Sequence, residues 1–315
     1  MIPLPIQSVT YMNPKVSVII CTYNRVAYLP RTLAALAAQS VPCQDFEILL
    51  IDNNSRDGTP EVCREFQDTH PELNFRYMTE SRQGLSFARN RGIDEAQSDI
   101  LVFIDDDAFA APDYLQNLIR FFESTPDAAA AGGRIYPLFE SKRPDWLPDI
   151  LMSLMSVIDL GDRVCLFKKK FPIGANMAFR RKTIQAYGNF NVKLGRRGDK
   201  LEGAEEKDLF LKIIAAGEKV YYVPDAVVQH VIPDKRLSFN HFRRQAIGIG
   251  YSERIRSKDI SSTAYLKSLF REVLKWGVSW AMCFGYWLTL RFRKGWRLIV
   301  FRWYVSKGLV TKHLK

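Results

Sequence analysis

The sequence predicts an α/β protein with a mostly parallel central sheet flanked by helices. Apolar, β-branched runs alternate with segments of helical period between residues 16 and 123, which is typical of strands joined by crossover helices. One run, Ile100–Ile104, is wholly apolar, as expected of a strand buried on both faces, and it ends directly in three aspartates. Neither GxGxxG nor GxxxxGK[ST] follows the first run, so the two common glycine-rich phosphate loops are excluded.

The elements of the first half follow in strict alternation. Strands are predicted at Val16–Cys21, Phe46–Ile51, Phe75–Met78 and Ile100–Ile104, and helices from about Pro30, through Phe66, over Leu85–Ala96 and over Pro112–Glu123. In the turn-forming segment Asp52–Thr59, Asp57 is expected to cap the following helix rather than to bind a ligand. For Arg91, a solvated helix face and a phosphate contact are equally open.

The three aspartates Asp105, Asp106 and Asp107 are the strongest chemical signal in the chain. Because strand side chains alternate, Asp105 and Asp107 are expected on one face and Asp106 on the other. Neighbouring carboxylates repel each other unless a cation lies between them, and oxygen ligands suit Mg²⁺ or Mn²⁺. The alternative is a solvated acidic turn, which a fully apolar preceding strand disfavours.

The second half is less regular. A strand is predicted within Ala128–Pro137, and the irregular segment Leu138–Phe171 is interpreted as the acceptor side, since long loops on a rigid sheet usually determine specificity. Its Trp146 is either a sugar-stacking surface or a core residue. Pro172–Arg180 is expected to be a strand with a small-residue turn, and a helix with an acidic first turn is expected over Glu202–Ile214.

Six motifs now point to a known family. In order, they are VSVIICTYNR, DNNSRDGT, GLSFARNRG, FIDDDA, GANMAFRR and EGAEEKDLFLKI. Together they resemble the family 2 glycosyltransferases with the GT-A fold, of the bacterial envelope-polysaccharide type, over about residues 16–230. The resemblance implies a nucleotide-diphosphate sugar donor, most often a UDP-sugar, a divalent Mn²⁺ or Mg²⁺, and transfer with inversion at the anomeric carbon.

The resemblance also assigns roles. The donor-binding residues it implies are Thr22, Tyr23, Arg25, Asp52, Arg89, Asp105 and Asp106. Of these, Asp52 would accept a hydrogen bond from the uracil, and Arg89 would face the donor diphosphate. The metal would be held by Asp107, with His230 completing the shell, although His230 is also explained by an ordinary structural role.

The general base is expected in the run Glu205-Glu206-Lys207-Asp208-Leu209. Relatives usually have Glu-Asp where this chain has Glu-Glu, so both Glu206 and Glu205 are candidates, and Glu206 is favoured by alignment. Two other functions remain open at this stage. A sugar nucleotidyltransferase would need a glycine-rich basic loop after the first strand, which is missing; a non-catalytic sugar-nucleotide-binding membrane scaffold would explain the Glu-Glu substitution.

Composition separates the end of the chain from the rest. The chain has 315 residues and a net charge of +11, yet nine Lys or Arg residues and no acid follow residue 272, so the remainder is near neutral. We therefore expect no nucleic-acid partner. The five cysteines are scattered without CxxC, which favours free thiols, and no signal peptide is recognisable in Met1–Pro14.

The predicted organisation is a catalytic domain over residues 1–235 and a basic, Trp-rich helical tail over 236–315. Within the first, about 14–110 would bind the nucleotide and about 111–235 the acceptor, a glycan or a lipid-linked sugar. Val273–Leu290 has one charge, Lys275, and five of the six tryptophans follow residue 272. Since Trp with Lys or Arg is typical of bilayer interfaces, the tail is expected to associate peripherally or monotopically with the cytoplasmic face of the membrane. A subunit-interface helix is the alternative.

Overall fold

One sheet of nine strands organises the described part of the chain, residues 13–168, 170–197 and 203–312 of a computed structural model. The strands are β1 (Val16–Thr22), β2 (Phe46–Asp52), β3 (Asn74–Thr79), β4 (Ile100–Asp105), β5 (Ala108–Ala110), β6 (Ala128–Phe139), β7 (Cys165–Leu166), β8 (Met177–Arg180) and β9 (Lys219–Ile232). The helices are α1 (Leu29–Ala37), α2 (Thr59–Thr69), α3 (Leu85–Glu95), α4 (Tyr114–Ser124), α5 (Arg181–Tyr187), α6 (Glu205–Ala215), α7 (Phe239–Ile260), α8 (Ser262–Leu288) and α9 (Phe292–Val310). Short 3-10 helices occupy Cys43–Asp45, Asp149–Met155 and Asp234–Leu237.

The strand order is β3-β2-β1-β4-β8-β6-β9-β5, and β7 pairs with β9. The first four strands in this order are parallel, as the sequence predicts. The other half is mixed: β8 runs antiparallel to β4 and β6, β9 is parallel to β6, and β5 and β7 are antiparallel to β9. The parallel arrangement is therefore confirmed for the first half only, where crossover helices join successive strands.

Strand register aligns the functional ends of three strands. Thr22 at the end of β1 is opposite Asp52 at the end of β2, and Cys21 is opposite Asp105 at the end of β4. All three strands are buried along nearly their whole length, which matches their largely apolar sequences. Their carboxyl ends form one edge, the usual ligand-binding edge of an open α/β sheet.

A short strand brings a distant histidine to that edge. The chain continues from the aspartates into β5, in which Ala108 pairs with His230 of β9. The Val231 N–H also donates a hydrogen bond to the Asp107 carbonyl oxygen at 2.9 Å. This pairing fixes His230 beside Asp107 although 123 positions separate them in sequence.

Two predicted elements differ in extent. The Pro172–Arg180 strand is limited to β8, because the Asn176 N–H closes a turn onto the Ile173 carbonyl oxygen at 2.8 Å. Helix α6 starts at Glu205, and residue 202, at which the predicted helix begins, lies outside the described residues.

The tail folds back onto the body of the protein. Phe242 and Ala246 of α7 and Leu298, Phe301 and Val305 of α9 share one buried cluster with residues of the 147–155 segment and with β9. Helices α7 and α9 approach closely at two glycines: a Cβ at Gly250 would lie 1.9 Å from the Val305 carbonyl oxygen, and one at Gly308 would lie 2.0 Å from that of Ile247. No described helix is long and apolar enough to cross a membrane.

Candidate active site

The aspartate triplet alternates as the sequence predicts. Asp106 is buried and accepts a hydrogen bond from the Thr22 hydroxyl at 2.7 Å, while its backbone carbonyl accepts one from Thr32. Burial raises the pKa of Asp106 to about 7. Asp105 and Asp107 point the other way, into a shared group with His230. Thr22 and Asp106 thus hold the turn in which the other two carboxylates are presented.

Asp105, Asp107 and His230 could hold a metal ion, since one ligand atom from each lies within 4.8 Å of the others. His230 Nδ1 is 3.3 Å from the Met155 carbonyl oxygen, which favours the tautomer with the proton on Nδ1. The lone pair of Nε2 then faces Asp107, whose Oδ1 is 3.1 Å away. The oxygen atoms of two carboxylates and the nitrogen of an imidazole in this tautomer are suitable ligands for Mn²⁺.

Cations surround Asp107. Arg25 from the loop after β1 lies 3.0 Å from its carboxylate, and Arg236 from the 3-10 turn after β9 lies 2.9 Å away. Burial alone would raise the pKa of Asp107, but the positive charges of Arg236 and Arg25 hold it well below its ordinary value. Asp107 is therefore ionised at neutral pH. Arg236 was not anticipated from the sequence, because only the fold of β9 and the following turn brings it here.

A second charged group adjoins the first. Arg89 on α3 is 3% exposed and contacts Glu205 at 2.7 Å, Glu206 at 2.9 Å and Asp105 at 3.7 Å. The N–H of Gly174 also donates to Glu206 at 3.1 Å. Arg89 thus links the two glutamates at the start of α6 to the aspartate at the end of β4.

The two candidate bases differ in their surroundings. Glu205 is 3% exposed, and its Oε2 has no hydrogen-bond partner among the described residues. Glu206 is 17% exposed. Burial, followed by repulsion from Glu205, raises the pKa of Glu206 to about 7 in spite of Arg89. Such a pKa lets one carboxyl both accept and release a proton near neutral pH.

Gly174 has a steric reason to be glycine. A Cβ at this position would lie 2.0 Å from Arg89 Nη2 and 2.7 Å from Glu206 Oε1. The small-residue turn predicted in this segment is where the backbone approaches the Arg89–Glu206 pair.

A cavity of about 500 Å³ opens at the ends of β1, β2 and β3. Its lining residues are Tyr23, Asp52, Asn54, Ser55, Arg56, Pro60, Tyr77, Thr79 and Gln83. Asp52 accepts hydrogen bonds from the Ser55 N–H and the Tyr77 hydroxyl, each at 2.8 Å, and burial together with this bond raises the pKa of Tyr77. The cavity brings together two residues expected to bind donor, Tyr23 and Asp52, and adds Tyr77, which sequence reasoning missed.

Three open alternatives are decided by contacts. Asp57 accepts hydrogen bonds from the N–H and hydroxyl of Thr59, the first residue of α2, as a capping side chain does. Arg91 is 45% exposed and pairs with Glu95 one turn later, which favours the solvated helix face. Trp146 packs edge-on against Phe242 of α7 and is therefore part of the contact with the tail.

The fold and the charged edge of the sheet define a GT-A glycosyltransferase. The family described as Glycosyl transferase family 2 matches residues 17–188, more than half of the chain, and the protein belongs to that family. The fold resembles that of the mannosyltransferase PcManGT from Pyrobaculum calidifontis, solved in complex with GDP-Man and Mn²⁺, with a TM-score of 0.65 and 22% identity over 95% of this chain and 87% of that one.

Curated relatives are named for the same kind of reaction. The glucosyl-dolichyl phosphate glucuronosyltransferase of Haloferax volcanii is 28% identical over 264 residues, which cover 81% of this chain and 83% of the relative. The dolichyl N-acetyl-alpha-D-glucosaminyl phosphate 3-beta-D-2,3-diacetamido-2,3-dideoxy-beta-D-glucuronosyltransferase of Methanococcus voltae is 25% identical over 75% of this chain and 71% of its own length. The predictions of family, fold and transferase activity are confirmed: the chain is a glycosyltransferase.

Proposed function

We propose that this enzyme transfers a sugar, with inversion, from a UDP-sugar to a hydroxyl of a lipid-linked acceptor in the synthesis of an envelope polysaccharide or glycolipid. The observation that carries the proposal is the contact of Arg89 with Glu206 and Asp105. It places a carboxyl of raised pKa next to a group of side chains that suits a divalent metal. A lipid-linked acceptor is supported by the names of the relatives from Haloferax volcanii and Methanococcus voltae.

The donor nucleotide is assigned to the cavity at the ends of the first three strands. Asp52 keeps acceptor capacity beyond its bonds to Ser55 and Tyr77, because a carboxylate accepts about four hydrogen bonds. The single ring N–H of uracil would donate a hydrogen bond to one of the remaining acceptor positions of the Asp52 carboxylate. Tyr23 lines the same cavity, and Arg25 and Thr22 lie between it and the aspartate triplet, where the donor phosphates would follow.

Asp107, His230 and Asp105 would hold Mn²⁺ or Mg²⁺. A divalent ion there would stabilise negative charge on the departing diphosphate. The residues of this chain contribute a deprotonated Asp107 and an imidazole whose Nε2 lone pair faces it. The guanidinium groups of Arg25 and Arg236, which both contact Asp107, add positive charge next to the metal site.

Glu206 is proposed as the general base. As the acceptor hydroxyl oxygen bonds to the anomeric carbon, its proton passes to Glu206 and the bond from that carbon to the diphosphate oxygen breaks. Attack from the face opposite the leaving group inverts the anomeric configuration. Arg89 and the Gly174 N–H hold the Glu206 carboxylate in position, and Glu205 supplies part of the repulsion that raises its pKa.

The roles that we propose for the three parts of the chain are those predicted from the sequence. Residues of about 14–110 would bind the donor, about 111–235 would supply the base and the acceptor side, and 236–315 would associate with a membrane. Arg89 joins the first two parts, since it lies on α3 and contacts the first turn of α6.

A donor screen tests the reaction. Purified protein is incubated with UDP-sugars and GDP-sugars, with and without Mn²⁺, and release of the nucleoside diphosphate is measured with a glycosyl phosphate lipid as acceptor. We expect release from a UDP-sugar that depends on both Mn²⁺ and acceptor. Release from GDP-sugars alone would contradict the uracil assignment, and release without a metal would contradict the metal site.

The tail is proposed to lie on the cytoplasmic surface of a membrane. Helix α8 exposes a stripe of large apolar side chains spaced three or four residues apart, interrupted at Gly277. They are Leu266, Phe270, Val273, Trp280, Phe284 and Trp287. The one carboxylate of α8, Glu272, is buried and bonded to Arg302, so the exposed charges on this helix are basic. Apolar burial with basic flanks is the pattern of an interfacial helix on anionic lipid.

Vesicle binding should depend on this stripe. Because α9 packs into the body, substitution tests the surface better than removal of the tail. We expect the intact protein to sediment with anionic vesicles and to be partly released by high salt. The triple variant Trp280→Gln, Phe284→Gln, Trp287→Gln should remain in the supernatant, whereas Val164→Gln, at a half-exposed site outside the tail, should bind as before. A protein that ignores vesicles and loses its oligomeric state in the triple variant would show that the stripe is a subunit interface.

A further inference from the structure

Beside Asp107 lies a basic cluster of which only Arg236 has a part in the transfer chemistry described above. It comprises Arg196, Lys235, Arg236, His241 and Arg244. Lys235 and Arg236 lie in the 3-10 turn after β9, and His241 is in the first turn of α7. Arg196 comes from the loop that crosses the start of α3, where its carbonyl accepts the Leu85 N–H at 2.9 Å.

Positive charge in this cluster is only partly neutralised. Burial lowers the pKa of His241 to about 4, and the charged neighbours that add to this effect are Arg236, Arg196, Arg244 and Lys235, all cations. Among the described residues, Arg196 and Lys235 form no ion pair with a carboxylate. By contrast, Lys15 is paired with Asp45 and Lys219 with Asp127.

Two described carboxylates close to the cluster, Asp107 and Asp234, already have partners. Arg236 shares Asp107 with Arg25 and His230. Asp234, in the same turn as Arg236, accepts a hydrogen bond from Ser141 at 2.5 Å. Arg196 and Arg25 lie close enough to Arg236 to repel it, while Asp107 attracts it. Such a cluster favours an anion with several acceptor oxygens.

An exposed aromatic surface borders the cluster. Phe239, two residues before His241, is 46% exposed; its ring centroid is 6.3 Å from that of Tyr304 on α9, and the Arg297 guanidinium lies 4.8 Å above it. Trp296 and Trp303 of α9 are also exposed. A soluble nucleotide has no hydrocarbon chain that could cover this aromatic surface. An amphiphile can bind the cluster with its anionic head group and the aromatic side chains with its hydrocarbon chain.

We propose that the basic cluster binds the phosphate of a lipid-phosphate acceptor, whose hydrocarbon chain lies along Phe239 and α9. The inference rests on the proposed transfer to a lipid-linked acceptor and names the residues that recognise it. The donor diphosphate belongs to the group around Asp105 and Asp107, so the cluster would recognise a second phosphate, on the acceptor. Arg196, which is exposed and outside the donor cavity, is the residue to test.

Binding of geranyl phosphate to the full-length protein, measured by calorimetry with geraniol and inorganic phosphate as reference ligands, tests the assignment without requiring turnover. Geranyl phosphate should bind more tightly than either reference ligand. Arg196→Gln should weaken its binding roughly tenfold, as expected for the loss of one charge-assisted hydrogen bond, and should leave geraniol binding unchanged. Lys235→Gln should act in the same direction.

Arg197→Gln is the matched control, because Arg197 is the exposed neighbour of Arg196 in sequence and its guanidinium is bonded to the Val192 carbonyl oxygen. It should leave the affinity for geranyl phosphate unchanged. Equal binding of inorganic and geranyl phosphate would overturn the lipid assignment. The assignment would also be overturned if neither Arg196→Gln nor Lys235→Gln weakened the binding of geranyl phosphate. An equal loss of affinity for UDP and Mn²⁺ in Arg196→Gln would overturn it as well. If no sugar donor is consumed in the donor screen but geranyl phosphate still binds as expected, the proposed reaction is refuted and the phosphate site is not.

Discussion

Asp107→Asn is expected to abolish Mn²⁺-dependent donor binding while the protein stays folded. The substitution keeps the size and shape of the side chain but removes the charge that faces His230 Nε2 at 3.1 Å. Loss of an outer-shell partner alone costs roughly 10–100-fold in metal affinity, so loss of a ligand carboxylate should cost on the order of 100-fold or more. Titration of Mn²⁺ in the presence of the nucleotide measures the effect directly, and circular dichroism reports the fold.

Asp106→Asn is the matched control for this result. Asp106 is adjacent in sequence, but its side chain is turned to Thr22 and away from the group of Asp105, Asp107 and His230. Its substitution should leave the Mn²⁺ affinity within a small factor of that of the unmodified enzyme. If Asp107→Asn keeps full Mn²⁺-dependent donor binding, or if Asp106→Asn loses it to the same extent, the metal site is not where we assign it.

The sequence was sufficient where local pattern determines structure. Strand alternation predicted that Asp105 and Asp107 would separate from Asp106, and the contacts of Thr22 and the shared group with His230 confirm it. The four parallel strands of the first half were predicted because a helix joins each of them to the next. These features depend on neighbours in sequence or on a register that the apolar pattern imposes.

Contacts between segments that are distant in sequence could not be predicted from local patterns. Arg236 reaches Asp107 only because β5 pairs with β9, and a three-residue strand gives almost no sequence signal. The antiparallel placement of β8 between β4 and β6 likewise follows from packing, not from its own sequence. The tail showed its basic and aromatic character in the sequence, but not that Phe242 and Phe301 would be buried against the body.

Arg89 shows how the structure changes an expectation without removing the residue from the site. The resemblance assigned it to the donor diphosphate, yet the three side chains it contacts are carboxylates: Glu205, Glu206 and Asp105. A guanidinium that is 3% exposed and bridges three acids is a positioning group. Donor contact by Arg89 stays a prediction, and its effect on Glu206 can be tested through the base.

Glu206→Gln should bind donor normally yet lose kcat by roughly 10²–10⁴-fold, the usual contribution of a general base. The amide keeps the shape of the side chain and cannot accept the proton of the attacking hydroxyl. In the unmodified enzyme, kcat/KM should fall as the pH decreases through about 7, because the Glu206 carboxyl of the free enzyme becomes protonated there. The residual activity of Glu206→Gln should lack this acid limb.

Glu205→Gln separates the two candidates through the pH profile. Repulsion from Glu205 is the second cause of the raised pKa of Glu206, after burial, so removing that charge should lower the pKa of Glu206. The acid limb of kcat/KM should then move to lower pH while much of the activity at neutral pH remains. A purely structural role for Glu205 would lower the yield of folded enzyme without moving the limb. If Glu205→Gln is the inactive variant and Glu206→Gln keeps both its activity and its acid limb, the base is Glu205, and the proton of the acceptor passes to the more deeply buried carboxylate.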